Sequence, residues 1–176
     1  AFPVSARRLA QVTGGMRGVA LAPALEAPGR LLAEALPDQV LRQIAWEREH
    51  PQGSPARDLG DYRAAWIPVR APVYRPKGAG RARPEGVLAA WELLRGVLDL
   101  GGWRPGAGTG DWAAIADAAM IDALCCAYAG LRVLRGEGEL VGTPARGRIA
   151  VPVDANLRGR LALTLDRLRA EGSVRI

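Results

Sequence analysis

The sequence predicts a mixed α/β domain, and three observations predict it. Apolar residues recur at helical spacing in several stretches, two short β-branched runs follow the longest of these, and Pro- and Gly-rich turns separate them all. The strands are too few for a sheet with two covered faces. At 176 residues and 49% hydrophobic, the chain is long enough for one core, and residues 1–176 are expected to form a single domain.

Residues 23–35 and 37–49 read as two short helices. Pro37 and Asp38 supply a start signal for the second, and Leu41, Ile44 and Ala45 give it an apolar face. From Pro51 to Pro84 the chain is rich in Pro, Gly and Arg; within it, Tyr62–Val69 is either a short strand or a turn into a helix. Pro84 opens the next helix, with Val87, Leu88, Trp91, Leu94 and Leu98 on one face and Gly101-Gly102 as its end. Asp111 is a candidate N-cap for a long, Ala-rich buried helix over Trp112–Arg135, which stops at Gly136. Glu139–Gly142 and Arg148–Val153 are expected strands. Asp154 then caps a last helix carrying Leu157, Leu161, Leu165 and Leu168.

Charge distribution is more informative than the net charge of +6. All but Lys77 of the 24 basic residues are Arg, a skew that reads as the codon bias of a GC-rich bacterial genome and so says little about nucleic acid. Residues 57–83 carry six Arg and Lys77 against Asp58 and Asp61, while residues 84–131 carry two Arg against six acids. A basic segment followed by an acidic one fits a polyanion-binding surface beside a cation-binding cluster, or a solvated loop beside a solvated helix. No run of about 18 uncharged apolar residues occurs, so no membrane span is expected. Nor does an export signal stand at the start. The adjacent Cys125 and Cys126 point about 100° apart on a helix, which suits neither a disulfide nor a chelate. Two buried thiols in the cytoplasm are the expectation.

Several chemistries are excluded by their motifs. Gly106, Gly108 and Gly110 precede a helix, but no lysine follows and no strand leads in, so they form a linker and not a phosphate loop. His50 is the single histidine, beside Glu47 and Glu49, and no GxSxG surrounds a serine. Zinc clusters and dinucleotide fingerprints are absent from the sequence. Catalysis would therefore have to use carboxylates and a metal. Trp46, Trp66, Trp103 and Trp112 look exposed and suggest an interaction surface, although tryptophans in so apolar a chain are usually core.

Asp122 concentrates the question. A carboxylate at the head of DALCCAYAG, in a helix built to be buried, costs several kcal/mol unless it is paired, hydrogen-bonded or bound to a metal. An arginine partner and a metal ion are both open to it. Asp117 lies five residues earlier, roughly 140° round the helix, and does not share its face neatly.

The string DALCCAYAG followed by RGEGELVGTPARGRIAVP resembles the C-terminal signature of a family of predicted nucleases with a ribonuclease-H-like fold, through Asp122, Ala123, Leu124, Cys126, Ala127, Gly136, Gly142, Gly147, Ile149 and Pro152. YRAAWIPVRAPVYRPKGAGRAR is similar to that family's YPAAW segment and the Tyr-Lys-Gly stretch after it, here Tyr74 and Lys77. The likeness covers most of residues 55–153, and residues 1–56 form a weakly matched helical segment. It implies a ribonuclease-H-like mixed sheet flanked by helices, and a carboxylate cluster holding Mg²⁺ or Mn²⁺ for phosphodiester hydrolysis. On this likeness Asp122 and Asp61 are the catalytic candidates, and Asp122 and Asp117 the metal ligands. Lys77, Arg75, Arg81 and Arg83 would meet the phosphates of nucleic acid, the expected partner. Gly60 stands where the family carries a Glu, and the family's opening strands with two further aspartates have no counterpart. An N-terminally truncated, incomplete copy is therefore expected. It would be either a metal-dependent nuclease or a non-catalytic nucleic-acid-binding remnant of the same fold.

Overall fold

A computed structural model describes residues 33–51, 64, 66, 68–75, 82–106, 108, 111–143, 147–153 and 170, with the backbone alone at 111, 112, 142, 143 and 147. Pro37 holds the residue before it, Leu36, in extended backbone (φ −109°, ψ 99°). Ahead of it Glu34–Ala35 forms strand β1. The helix expected over 23–35 is thereby corrected at its end, because a proline clash and pairing with a neighbouring strand override helical propensity there; residues 23–32 lie outside the described residues.

Helix α1 spans Pro37–Glu49, the predicted bounds, with Asp38 in the first turn and Arg48 in the last, each matched to the helix dipole. It buries Val40, Leu41, Ile44 and Trp46, and each such aliphatic side chain is worth about 1.5–3 kcal/mol. Trp46 is therefore core, while Trp66 and Trp103 are half-buried. Ala64 and Trp66 are helical and the amide of Val69 donates to the Trp66 carbonyl at 3.1 Å, so the Tyr62–Val69 stretch takes the turn-into-helix alternative where it is described. Arg42 clamps this turn to α1, donating to the Trp66 carbonyl at 2.6 Å with its guanidinium 4.8 Å from the ring centroid.

Helix α2, Pro84–Leu94, starts on its proline and buries Val87, Ala90, Trp91 and Leu94. It stops short of the predicted Gly101-Gly102. Leu93 and Leu94 accept from Gly96 and Val97 in tighter turns, a change that Gly96, a poor helix former, favours. Leu88, expected on the core face, is 39% exposed, whereas Leu98 still packs against the core from beyond the helix.

Helix α3, Asp111–Leu134, is the longest element. It ends on Gly136 in the left-handed region (φ 73°): the Gly136 amide donates to Val133 and the Glu137 amide to Arg132, a Schellman end that answers two otherwise orphaned carbonyls. Its inner face, with Ala118, Ile121, Cys125, Tyr128 and Ala129, completes a core shared with α1, α2, Tyr74 and Ala150. Cys125 is buried but Cys126 is exposed, which corrects the pair of buried thiols; neighbours on a helix cannot both face one core. By length and composition Ala113–Leu134 could cross a membrane (22 residues, mean hydropathy 1.5), yet Asp117, Asp122 and Arg132 interrupt it and one face packs into this core.

Strands β2 (Gly138–Thr143) and β3 (Gly147–Pro152) pair antiparallel, with Leu140 opposite Ala150, and β1 adds parallel to β3 with Ala35 opposite Ala150. The described sheet has three strands in the order β1-β3-β2. A mixed α/β architecture is thus observed. The helix predicted after Asp154 lies outside the described residues.

Candidate nucleic-acid interface

Asp122 sits one position along α3 from Ile121, at the margin of the core. A carboxylate there needs compensation. Tyr74 donates its hydroxyl to Oδ1 at 2.6 Å, and Arg75 Nη2 lies 2.9 Å from Oδ2. Of the two partners open to Asp122 from sequence, the arginine is the one at hand. The Arg75 and Asp122 side chains are 48% and 35% exposed, so this ion pair is worth at most about 1 kcal/mol. The tyrosine bond, to a charged acceptor and less solvated, carries more, about 1.5–3 kcal/mol. Burial, and then the bond to Asp122, push the Tyr74 phenol well above its usual range, so it remains a donor.

Tyr74 is held by its backbone as well as its ring. The Arg83 amide donates to its carbonyl at 2.9 Å, just before α2 begins. One turn into α2, Gly86 is buried against Val73 and Tyr74, where a Cβ would meet the Tyr74 Cα at 2.8 Å. The stretch Arg75–Arg83 is therefore anchored where its two ends are described, at Arg75 and at Arg83. Its sequence, RPKGAGRAR, carries four cations and no carboxylate. Arg75 and Arg83 are exposed at its two ends; Lys77, Arg81 and Asp61 lie outside the described residues.

Asp117 serves a different stretch. Its Oδ2 accepts the Gly106 amide at 2.7 Å, in a cleft of about 440 Å³ between the start of α2 and α3. Asp117 and Asp122 thus turn to separate partners, as their angular spacing requires. Among the described residues no three His, Cys, Asp or Glu side chains come together. A two-ion centre needs carboxylates converging on ions about 3.5–4 Å apart, and the described donors do not fit one.

A third charged cluster was not read from the sequence. Arg132, buried in the last turn of α3, makes a bidentate pair with Glu47 of α1 at 2.7 and 2.8 Å. It also donates to the Tyr128 hydroxyl at 2.6 Å and approaches Glu137 at 3.1 Å. Burial opposes its charge, but the bonds to Glu47 and Tyr128 outweigh that and hold the guanidinium protonated. The signal was available: Arg132 is a lone cation near the end of an apolar helix, just as Asp122 is a carboxylate within it.

No family model, curated protein or solved structure matches the chain.

Proposed function

We propose that this chain is a non-catalytic nucleic-acid-binding domain of ribonuclease-H-like type, in which Asp122 anchors the start of a basic segment and does not hold a metal ion. The observation that carries the reading is the sequence Arg75–Arg83, four cations without a carboxylate, whose first residue is tied to Asp122 directly and through the preceding Tyr74. So basic a segment meets phosphates through charge and guanidinium geometry, so binding is sequence-independent and salt-sensitive. The mixed sheet backed by helices suits the ribonuclease-H-like assignment that the motif likeness implies.

Fluorescence anisotropy with a labelled oligonucleotide, across a salt series, tests this. Lys77→Ala with Arg81→Ala is expected to weaken binding and to reduce the log–log salt slope by about 1.4–1.8, depending on strandedness. Equal affinity of wild type and variant would sink the proposal.

A second reading, the Mg²⁺- or Mn²⁺-dependent nuclease, is favoured by one observation: the Asp122 carboxylate is partly exposed beside Arg75, the first residue of the basic segment. It requires further ligands, Asp61 among them, and requires Arg75 to yield its place. Calorimetric titration of Mn²⁺ into wild type and Asp122→Asn separates the two. Micromolar binding abolished in the variant would favour the nuclease over the anchor.

A further inference from the structure

A second cleft lies away from Asp122. It opens between the C-terminal ends of α1 and α2 and the turn that follows α2, and it encloses about 910 Å³. Its floor is Trp91, whose ring has two guanidinium groups over it: the Arg95 Cζ stands 4.9 Å and the Arg104 Cζ 5.6 Å from the centroid. The Trp91 indole nitrogen donates to the Trp103 carbonyl at 2.9 Å, and this bond fixes the wall opposite α1.

The charges lining the cleft do not all cancel. Glu47 is taken by Arg132, and Glu92 pairs with Arg95 at 2.6 Å. Asp99 remains as a carboxylate, with Oδ1 accepting the Gly101 amide at 3.0 Å. Against it stand Arg48 and Arg104, both exposed, neither in an ion pair among the described residues. The C-terminal carbonyls of α1 and α2 add partial negative charge here, which Arg48 and Arg95 at those helix ends offset. A cleft with ample room for a nucleotide, with indole and planar guanidinium walls and the exposed Arg48 and Arg104 guanidinium groups in no ion pair among the described residues, suits a ligand with a flat ring and an attached anion.

We infer that this cleft takes one unpaired base and its phosphate from a single-stranded nucleic acid: the base lies against the Trp103 and Arg104 side of the cleft and the phosphate is met by Arg48 and Arg104. The inference rests on the nucleic-acid reading and adds a second contact to it, distinct from the basic segment Arg75–Arg83. Stacking tolerates any base, because each has a π-face, so the contact carries little sequence preference.

The test uses the whole chain, a fluorescein-labelled thymidine 12-mer and its duplex form. Three proteins are compared: wild type, Arg48→Ala with Arg104→Ala, and Lys77→Ala with Arg81→Ala. The cleft variant is expected to lose on the order of tenfold in affinity for the single strand and much less for the duplex, whose bases are not free to enter. Arg104→Lys keeps the charge but not the plane, and is expected to recover only part of the loss. Circular dichroism of each variant confirms that the fold is kept. Unchanged affinity in the cleft variant, with binding lost in the basic-segment variant, overturns the cleft and leaves the nucleic-acid reading standing. An equal loss for single strand and duplex also overturns it, since charge alone then accounts for the effect. No binding by wild type to either form overturns both.

Discussion

Gly86 and Tyr74 touch backbone to backbone: a Cβ placed on Gly86 would lie 2.8 Å from the Tyr74 Cα and collide with the Val73 carbonyl. The absence of a side chain at one position of α2 therefore sets how deeply Tyr74 enters the core, and through Tyr74 it sets the reach of the hydroxyl to Asp122. Gly86→Ala is expected to destabilise the domain by about 1–3 kcal/mol, although alanine is the better helix former. Urea denaturation measures it. A stability equal to or above wild type would show that the Val73–Tyr74 segment moves aside freely.

The bond from Tyr74 to Asp122 should be separable from the ion pair beside it. Tyr74→Phe removes a donor to a charged acceptor and is expected to cost about 1.5 kcal/mol, the lower end of the range because water can reach the freed carboxylate. Asp122→Asn leaves Tyr74 a neutral acceptor in place of a charged one and loses the exposed pair with Arg75, for a cost of about 1–2 kcal/mol. That lies between the near-zero effect of an uncompensated carboxylate and the roughly 3 kcal/mol of a buried ion pair. A double-mutant cycle in urea gives the coupling. A cost of 3 kcal/mol or more for Asp122→Asn would mean that the Arg75 pair is far less solvated than its exposure indicates.

What could be read in the sequence follows from the range of the forces involved. Helix α1 and the hairpin β2–β3 were legible because proline, turn residues and apolar periodicity act locally. The end of α2 was not, since Leu98 joins the core without continuing the helix, and periodicity registers only that it is apolar. Strand β1 was missed because two residues pair with a strand more than a hundred positions on. For Asp122 the sequence narrowed the partner to an arginine or a metal, while the tyrosine donor and the Arg83–Tyr74 backbone bond needed the tertiary fold. The Arg132–Glu47 pair spans 85 positions, and nothing local in either residue points to the other.

The two neighbouring cysteines should behave differently. Burial, and then the Asp122 charge, push the Cys125 thiol up to about 12 from its ordinary value near 9. The folded state then holds a proton that the unfolded chain releases, so this contribution to stability is complete below about pH 9 and is lost progressively as the pH rises towards 12. Alkaline urea titrations of wild type and Cys125→Ala should diverge in that window. Labelling with iodoacetamide at pH 8 should modify the exposed Cys126 slowly, because its thiol is also raised by burial and by Asp122, and leave Cys125 untouched until denaturant is added. Equal native labelling of both thiols would contradict the placement of Cys125 in the core.

The pair between Arg132 and Glu47 should differ from the one at Asp122 in its response to salt. Its side chains are 11% and 26% exposed, against 48% and 35% for Arg75 and Asp122. Arg132→Ala leaves the Glu47 carboxylate and the Tyr128 hydroxyl without their shared donor and is expected to cost about 3 kcal/mol. Adding Glu47→Leu to Arg132→Met removes both charges and should restore much of that loss, because desolvation had offset most of the Coulombic gain. In 1 M salt, where the screening length is about 3 Å, the cost of Arg132→Ala should persist while that of Asp122→Asn loses the share due to the exposed Arg75 pair. Unfolding midpoints of the single and double variants at low and high salt measure both effects. If the Arg132 cost fell with salt as steeply as the Asp122 cost, the Glu47 pair would have to be as open to solvent as the Arg75 pair, and α1 would not be locked to the end of α3 by a buried bidentate contact.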